Sequence, residues 1–383
     1  MSLLKRLHAN STDYSDGTDT CSPLNKRMSL TENDIHAQEG GGLCCNGSPN
    51  IAISADIPTD ARTWTESILS PLRINQKFDI SFSSYDIFGR KEEENTRPDP
   101  RHRANLGCFQ IVVKSLMDFE ASSVDSLTSQ QIEESYKKLK SIKQCQDIQE
   151  WLDIDLYMHT CTSKTDLTEM CIRILERVHQ FMSQLLYMVK KRENRKSLSG
   201  GMFLQLFARY AKIFGLEVMC VPNVQDYELK IGSATVTAEP DAIVIDPVHE
   251  NAVIAVIQMS NEDDQTVRNY PRNFQANHIR SDLKHVKGQH LAQMLAVLPE
   301  SAFDYKFSKP KRLYGFIIQE TEITVTSLSL LNKGFLDDLK EGCLPQENCA
   351  EMKYSTSCNI LTQQGRLGLL STLVEMSASQ YML

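Results

Sequence analysis

The chain has 383 residues, 41% of them apolar, and a formal net charge of −8. That is enough for the core of one large domain or two ordinary ones, and it argues against a molecule coated in basic surface. The 11 cysteines are scattered without a C-x-x-C pair, which argues against a zinc framework or a small disulfide scaffold. No apolar run approaches the roughly 20 residues that span a bilayer, so a soluble, intracellular protein with free thiols and no membrane partner is expected.

Residues 1–60 are rich in Ser, Thr, Asn, Asp and Gly and nearly lack aromatics. Such a segment cannot bury enough surface to offset its ordering entropy, and a disordered tail is expected. Order is expected to start near Trp64. Residues 91–103 read as a charged loop, and 107–119 as a strand or a short helix. Residues 129–143 read as a helix with Ser129 capping its start, acids early and lysines late, as the helix dipole favours.

The clearest helix is 166–190. Leu167, Met170, Ile174, Val178, Phe181, Leu185 and Met188 recur every three or four residues and make one apolar face for core packing. It runs into Lys190-Lys191-Arg192-Glu193-Asn194-Arg195-Lys196. That run reads as a nuclear-targeting signal, a phosphate contact, or a solvated linker with lysines well placed at a helix C-terminus.

Ser199-Gly200-Gly201 breaks the chain. A second helix follows, burying Met202, Phe203, Leu206, Phe207, Tyr210, Ile213 and Phe214, with Gly215 as its C-cap. Residues 216–221 read as a strand, and 227–237 as a hairpin around Gly232-Ser233. Pro240-Asp241 opens a strand over 242–246. After a turn, a buried strand over 252–257 exits into Gln258-Met259-Ser260. A third helix, 278–298, carries Leu283, Val286, Leu291, Met294, Leu295 and Leu298 on one side, and Pro299 stops it. Residues 313–330 read as a hairpin turning near Glu320. Beyond 332 come a short helix, a polar loop and a last helix at 363–376.

From 198 to 330 the order is helix, strand, hairpin, strand, helix, strand. With Pro240-Asp241, the strand ending in Gln258-Met259-Ser260, and Gln289 on the following helix, this resembles the restriction-endonuclease-like core of the PD-(D/E)XK nuclease superfamily. The resemblance implies an α/β fold: a helix, a mixed central sheet and a helix, in a domain at 197–332. A mostly helical region at 61–196 precedes it, and an extension at 333–383 follows.

In such a site two carboxylates on adjacent strands hold Mg²⁺, the ion polarises phosphate and activates water, and a lysine steadies the developing charge. By position, the resemblance makes Asp241 the first metal ligand. Gln258 stands where the second acid is wanted, and Ser260 where the lysine is wanted. Glu239, Asp246 and Glu262 are the nearby acids that would complete a metal site. Asp246 is the weaker candidate, because strand alternation turns it away from Asp241. Lys284 and Lys287 on the next helix would supply the lysine.

Between 265 and 312 stand Arg268, Arg272, Arg280, Lys284, Lys287, Lys306, Lys309, Lys311 and Arg312, against the acids Asp282, Glu300 and Asp304. Tyr270 and Phe274 interleave with the arginines. Phosphate contacts plus stacking suit DNA or RNA, and Arg268, Arg272, Arg280, Lys284, Lys287 and Gln289 are the expected contacts. The expected function is a nuclease-related, nucleic-acid-binding protein with a degenerate metal site. The alternatives are an active, divergent Mg²⁺-dependent nuclease and a protein-interaction scaffold on the same fold.

Overall fold

The apolar periodicity at 166–190 becomes a long helix that supports one face of a mixed sheet. The computed structural model describes residues 51–53, 57–78, 80, 109, 113–114, 117–144, 164–246, 252–260, 284–302 and 312–382. The expected disordered tail lies outside the described residues up to residue 50. Order begins before Trp64, because strand β1 (Ile51–Ala52) pairs antiparallel with β10 (Cys343–Leu344).

Three helices form the first layer: α1 (Ser129–Gln144), α2 (Lys164–Glu193) and α3 (Gly200–Ile213). The cap of α1 is Thr128, not Ser129. The Thr128 N–H donates to Gln131 Oε1 at 2.9 Å, and Thr128 Oγ1 accepts from the Gln131 N–H at 3.3 Å, a reciprocal box. On α2, Ile174, Val178, Phe181, Leu185 and Met188 are buried as expected. The basic run at its end is used internally. Lys190 Nζ sits 2.6 Å from Glu133 Oε1, Arg192 forks onto Asp125, and Glu193 accepts the Ser129 N–H at 2.7 Å. Helix α3 ends in a Schellman turn: Leu216 N–H donates to Ala211 O, Gly215 N–H to Lys212 O, and Gly215 takes φ +94°.

The sheet has the order β2-β11-β9-β8-β7-β6-β3, with β12 (Cys358–Asn359) attached to β9. Its strands are β2 (Ile74–Lys77), β3 (Glu217–Cys220), β6 (Ala242–Ile245), β7 (Val253–Met259), β8 (Arg312–Gln319), β9 (Glu322–Leu330) and β11 (Ala350–Tyr354). Strands β7 and β8 run parallel, as do β11 and β2; the other neighbours are antiparallel. Helix α4 (Lys284–Val297) makes the crossover from β7 to β8.

Side chains alternate between two cores. Ile257, Phe316 and Val325 pack with Phe207, Tyr210 and Leu373 on one face. Val256, Ile317 and Leu328 pack with Leu291, Leu295, Leu229 and Val236 on the other. The second face carries α4 and a separate hairpin, β4 (Tyr227–Ile231) with β5 (Ala234–Ala238). The fold is therefore α/β, a mixed sheet flanked by helices.

Two expectations change. Helix α4 is buried nearly all round, including Lys287, His290 and Gln293, because the hairpin and the turns at Ala61–Thr63 and Glu66–Ile68 cover its outer side. A Cβ on Gly288 would lie 2.5 Å from the Thr65 carbonyl carbon, so a glycine permits this close approach. The sheet also takes β2 from the region expected to be mostly helical and β11 from the expected extension. Segments 61–196 and 333–383 thus share one sheet with 197–332. Short helix α5 (Phe335–Glu341) and α6 (Gln363–Met382) complete the chain. Among the described residues, no helix is long and apolar enough to cross a membrane.

Candidate functional site

Strands β6 and β7 meet antiparallel with Ala242 opposite Ile257, which brings Asp241 opposite Gln258. The Met259 N–H donates to Asp241 Oδ2 at 2.7 Å. The Val221 N–H donates to the Asp241 carbonyl at 3.3 Å, so the residue is held through backbone and side chain together. Asp241 is half-buried. Burial raises its carboxyl above the usual range, and the Met259 hydrogen bond opposes part of that rise.

Gln258 is only 3% exposed. Its Nε2 donates to Met259 O at 2.8 Å, and its Oε1 has no partner among the described residues. Ser260 continues the β7–β8 ladder, its N–H donating to Ile318 O at 2.8 Å. The structure therefore joins Asp241, Gln258 and Ser260 at the ends of neighbouring strands.

Asp246 does not join them. It is fully buried at the far end of β6, five residues on, which is about 17 Å of strand. The register slips between Val244 and Ile245, but the extra residue belongs to β7. Alternation on β6 therefore holds, and Asp246 falls on the face opposite Asp241. Glu239 carries an exposed carboxylate whose nearest cation is Arg62, with NH1 at 3.9 Å from Oε2.

Lys287 is not a surface cation. It is 6% exposed, with Nζ 3.8 Å from Glu66 Oε1, 4.5 Å from the centre of the Phe78 ring and 5.5 Å from that of Tyr354. The two rings stack at 5.1 Å. Tyr354 ends β11, four places from β6 in the sheet, so the ammonium serves a box of its own. Arg312, also in the basic stretch, donates to Ser329 Oγ at 3.0 Å and Tyr314 OH at 3.3 Å. Gln289 is half-buried on α4, and Lys284 opens that helix with its side chain outside the described ones. Glu262, Arg268, Arg272 and Arg280 lie outside the described residues.

Two further residues on α4 bear on this region, and the first of them, Gln293, is not singled out by the sequence. Gln293, fully buried, donates from Nε2 to the Glu239 carbonyl at 2.9 Å and so fixes the turn that delivers Asp241. Its Oε1 has no partner among the described residues. The signal was an amide inside an otherwise apolar run, one turn after Gln289. His290, also fully buried, meets Thr326 Oγ1 at 2.8 Å, and burial lowers its pKa to about 3. It is a neutral core imidazole.

A Mg²⁺ site of the kind the resemblance implies needs two carboxylates here. The described residues supply one, Asp241, beside a neutral buried amide oxygen. Among them, no group of three or more His, Cys, Asp or Glu side chains is placed to hold a metal. One missing charge near 4 Å is worth about 4 kcal/mol gross at an effective dielectric of 20, and more against a dication. These residues do not fit a two-carboxylate centre.

No protein-family model matches the chain, and no curated protein matches it.

Proposed function

We propose that this is a nuclease-related protein of restriction-endonuclease-like fold that binds nucleic acid at a degenerate site and cleaves it little or not at all. The observation that carries the reading is the Asp241–Gln258 pair. An acid and a neutral amide stand side by side at the ends of adjacent strands, and the Met259 N–H already occupies one Asp241 oxygen. The mixed sheet, with a helix crossing between parallel β7 and β8, supports the fold part of the reading. The local excess of lysine and arginine from 265 to 312 supports the nucleic-acid part.

Chemically, Asp241 can accept hydrogen bonds and offer one negative charge, and Gln258 can add a neutral carbonyl. Lys287 is committed to Glu66 and two aromatic rings and is not offered to a phosphate at this edge.

The test is binding and cleavage of labelled single- and double-stranded DNA and RNA, with Mg²⁺ and with chelator, for the wild type and Asp241→Ala. Salt-sensitive binding without cleavage is expected. Metal-dependent cleavage lost in Asp241→Ala would make it an active, divergent nuclease instead. Absence of both would favour a protein-interaction scaffold.

A further inference from the structure

Beside the turn that carries Asp241 lies a groove of about 350 Å³, lined by Thr59, Asp60, Arg62, Thr235, Thr237 and Glu239. Strand alternation builds its floor. On β5, Val236 and Ala238 point into the core, while Thr235 and Thr237 face out, and Glu239 continues the outward row. The segment before Trp64 builds the other wall. Thr237 N–H donates to Thr59 O at 2.9 Å, and Asp60 bridges Thr237 in parallel. Asp60 grips Arg62 through both oxygens, at 3.1 Å to Nε and 3.0 Å to NH2.

The lining thus offers three hydroxyls, two carboxylates and one guanidinium already balanced by Asp60. Its net charge is negative, which disfavours a bare phosphate. Carboxylates here want a neutral ligand that donates from hydroxyls, and the threonines and Arg62 can return hydrogen bonds to the same oxygens. The volume falls at the lower end of small-ligand sites and holds a sugar.

We propose that this groove binds the ribose of RNA and reads its 2′-hydroxyl, so that the nucleic acid held by this protein is RNA rather than DNA. The inference rests on the nucleic-acid reading above. The groove and Asp241 share one turn: Glu239 is two residues before Asp241, and Gln293 holds its carbonyl at 2.9 Å. A carboxylate is a natural acceptor for a ribose hydroxyl, and the 2′-hydroxyl separates RNA from DNA at a given position. A deoxyribose would leave those acceptors facing a CH₂ group.

The test uses the full chain and two probes of equal length, oligouridylate and oligodeoxyuridylate, which differ only at the 2′ position. Wild type is expected to bind the ribo form about tenfold more tightly, the scale of one good hydrogen bond to a charged group. In the double variant Thr235→Val/Thr237→Val, and in Glu239→Gln, that ratio falls towards one. Valine suits exposed strand positions, so the hairpin is retained. Equal binding of the two probes by wild type overturns this inference and leaves the nucleic-acid reading standing. A preference that survives both variants overturns it as well. No binding of either probe overturns the nucleic-acid reading and this one with it.

Discussion

The amide of Met259 donates to the carboxylate of Asp241 across 2.7 Å, so the acid of one strand secures the backbone of the next. Because burial raises the Asp241 carboxyl, its ionised form is penalised in the fold. The contribution is favourable at low pH and is lost as pH rises from the ordinary carboxyl value through the raised folded one. Asp241→Asn keeps an acceptor for Met259 and removes the buried charge, so it is expected to be at least as stable as wild type at neutral pH. Asp241→Ala strands a buried N–H and is expected to lose about 1–3 kcal/mol. Urea unfolding at neutral pH measures both, and an Asn variant as weak as Ala would refute the account.

His290 gives the opposite pH dependence. Its pKa falls from 6.5 to about 3 in the fold, so the unfolded chain binds more protons between those values. Stability is expected to drop progressively as pH falls from about 6.5 to about 3, and His290→Leu should flatten that slope. Unfolding midpoints across the acid range report it.

Gly315 lies beneath the same imidazole. A Cβ there would meet His290 Nε2 and Thr326 Oγ1, each at 2.5 Å. Gly315→Ala is expected to cost about 1–3 kcal/mol by overpacking, read from thermal or urea unfolding.

Lys287 separates a structural cation from a nucleic-acid contact. Lys287→Met keeps much of the apolar stem but leaves Glu66 without its 3.8 Å partner and empties the Phe78–Tyr354 box, for an expected loss of about 1–2 kcal/mol. The slope of log K against log salt for nucleic-acid binding should not change. Arg268→Ala should lower that slope by about 1, the mark of one lost phosphate contact.

Arg366 is fully buried and donates to Ile360 O at 3.2 Å, Met117 O at 2.5 Å and Phe119 O at 3.1 Å, with its guanidinium 4.7 Å from the centre of the Phe119 ring. It ties the segment before α1 to the start of α6. Arg366→Met is expected to cost about 3 kcal/mol or more, and Arg366→Lys to recover only part, since an ammonium lacks the planar fork. Comparing the two variants by urea unfolding isolates the fork.

Local patterns announced themselves in the sequence. The periodicity at 166–190, the glycine at 215 and the turn at Glu320 each correspond to a described element, because neighbours within a few residues decide them. Strand β2, Ile74-Asn75-Gln76-Lys77, has a single apolar residue and exists because β11 is beside it. Strand β11 does alternate, with Ala350, Met352 and Tyr354 inward, but it sat inside what reads as a polar loop. The site divides in the same way. The Asp241–Gln258 adjacency follows from one hairpin. The burial of Lys287 depends on Glu66, Phe78 and Tyr354, and the groove depends on Thr59 and Asp60, all remote in sequence.

The parallel pairing of β2 with β11 has a consequence for synthesis. Residues near the beginning and the end of the described chain are hydrogen-bonded neighbours at one edge of the sheet, with register from Ala350↔Ile74 to Lys353↔Lys77. A nascent chain on the ribosome exposes β2 long before the strand that accepts it. Such distant closure makes folding slow and leaves β2 unpaired until β11 has been made. A fragment ending before Ala350 would deprive β2 of this partner and leave the outer edge of β9 open to pairing with another copy.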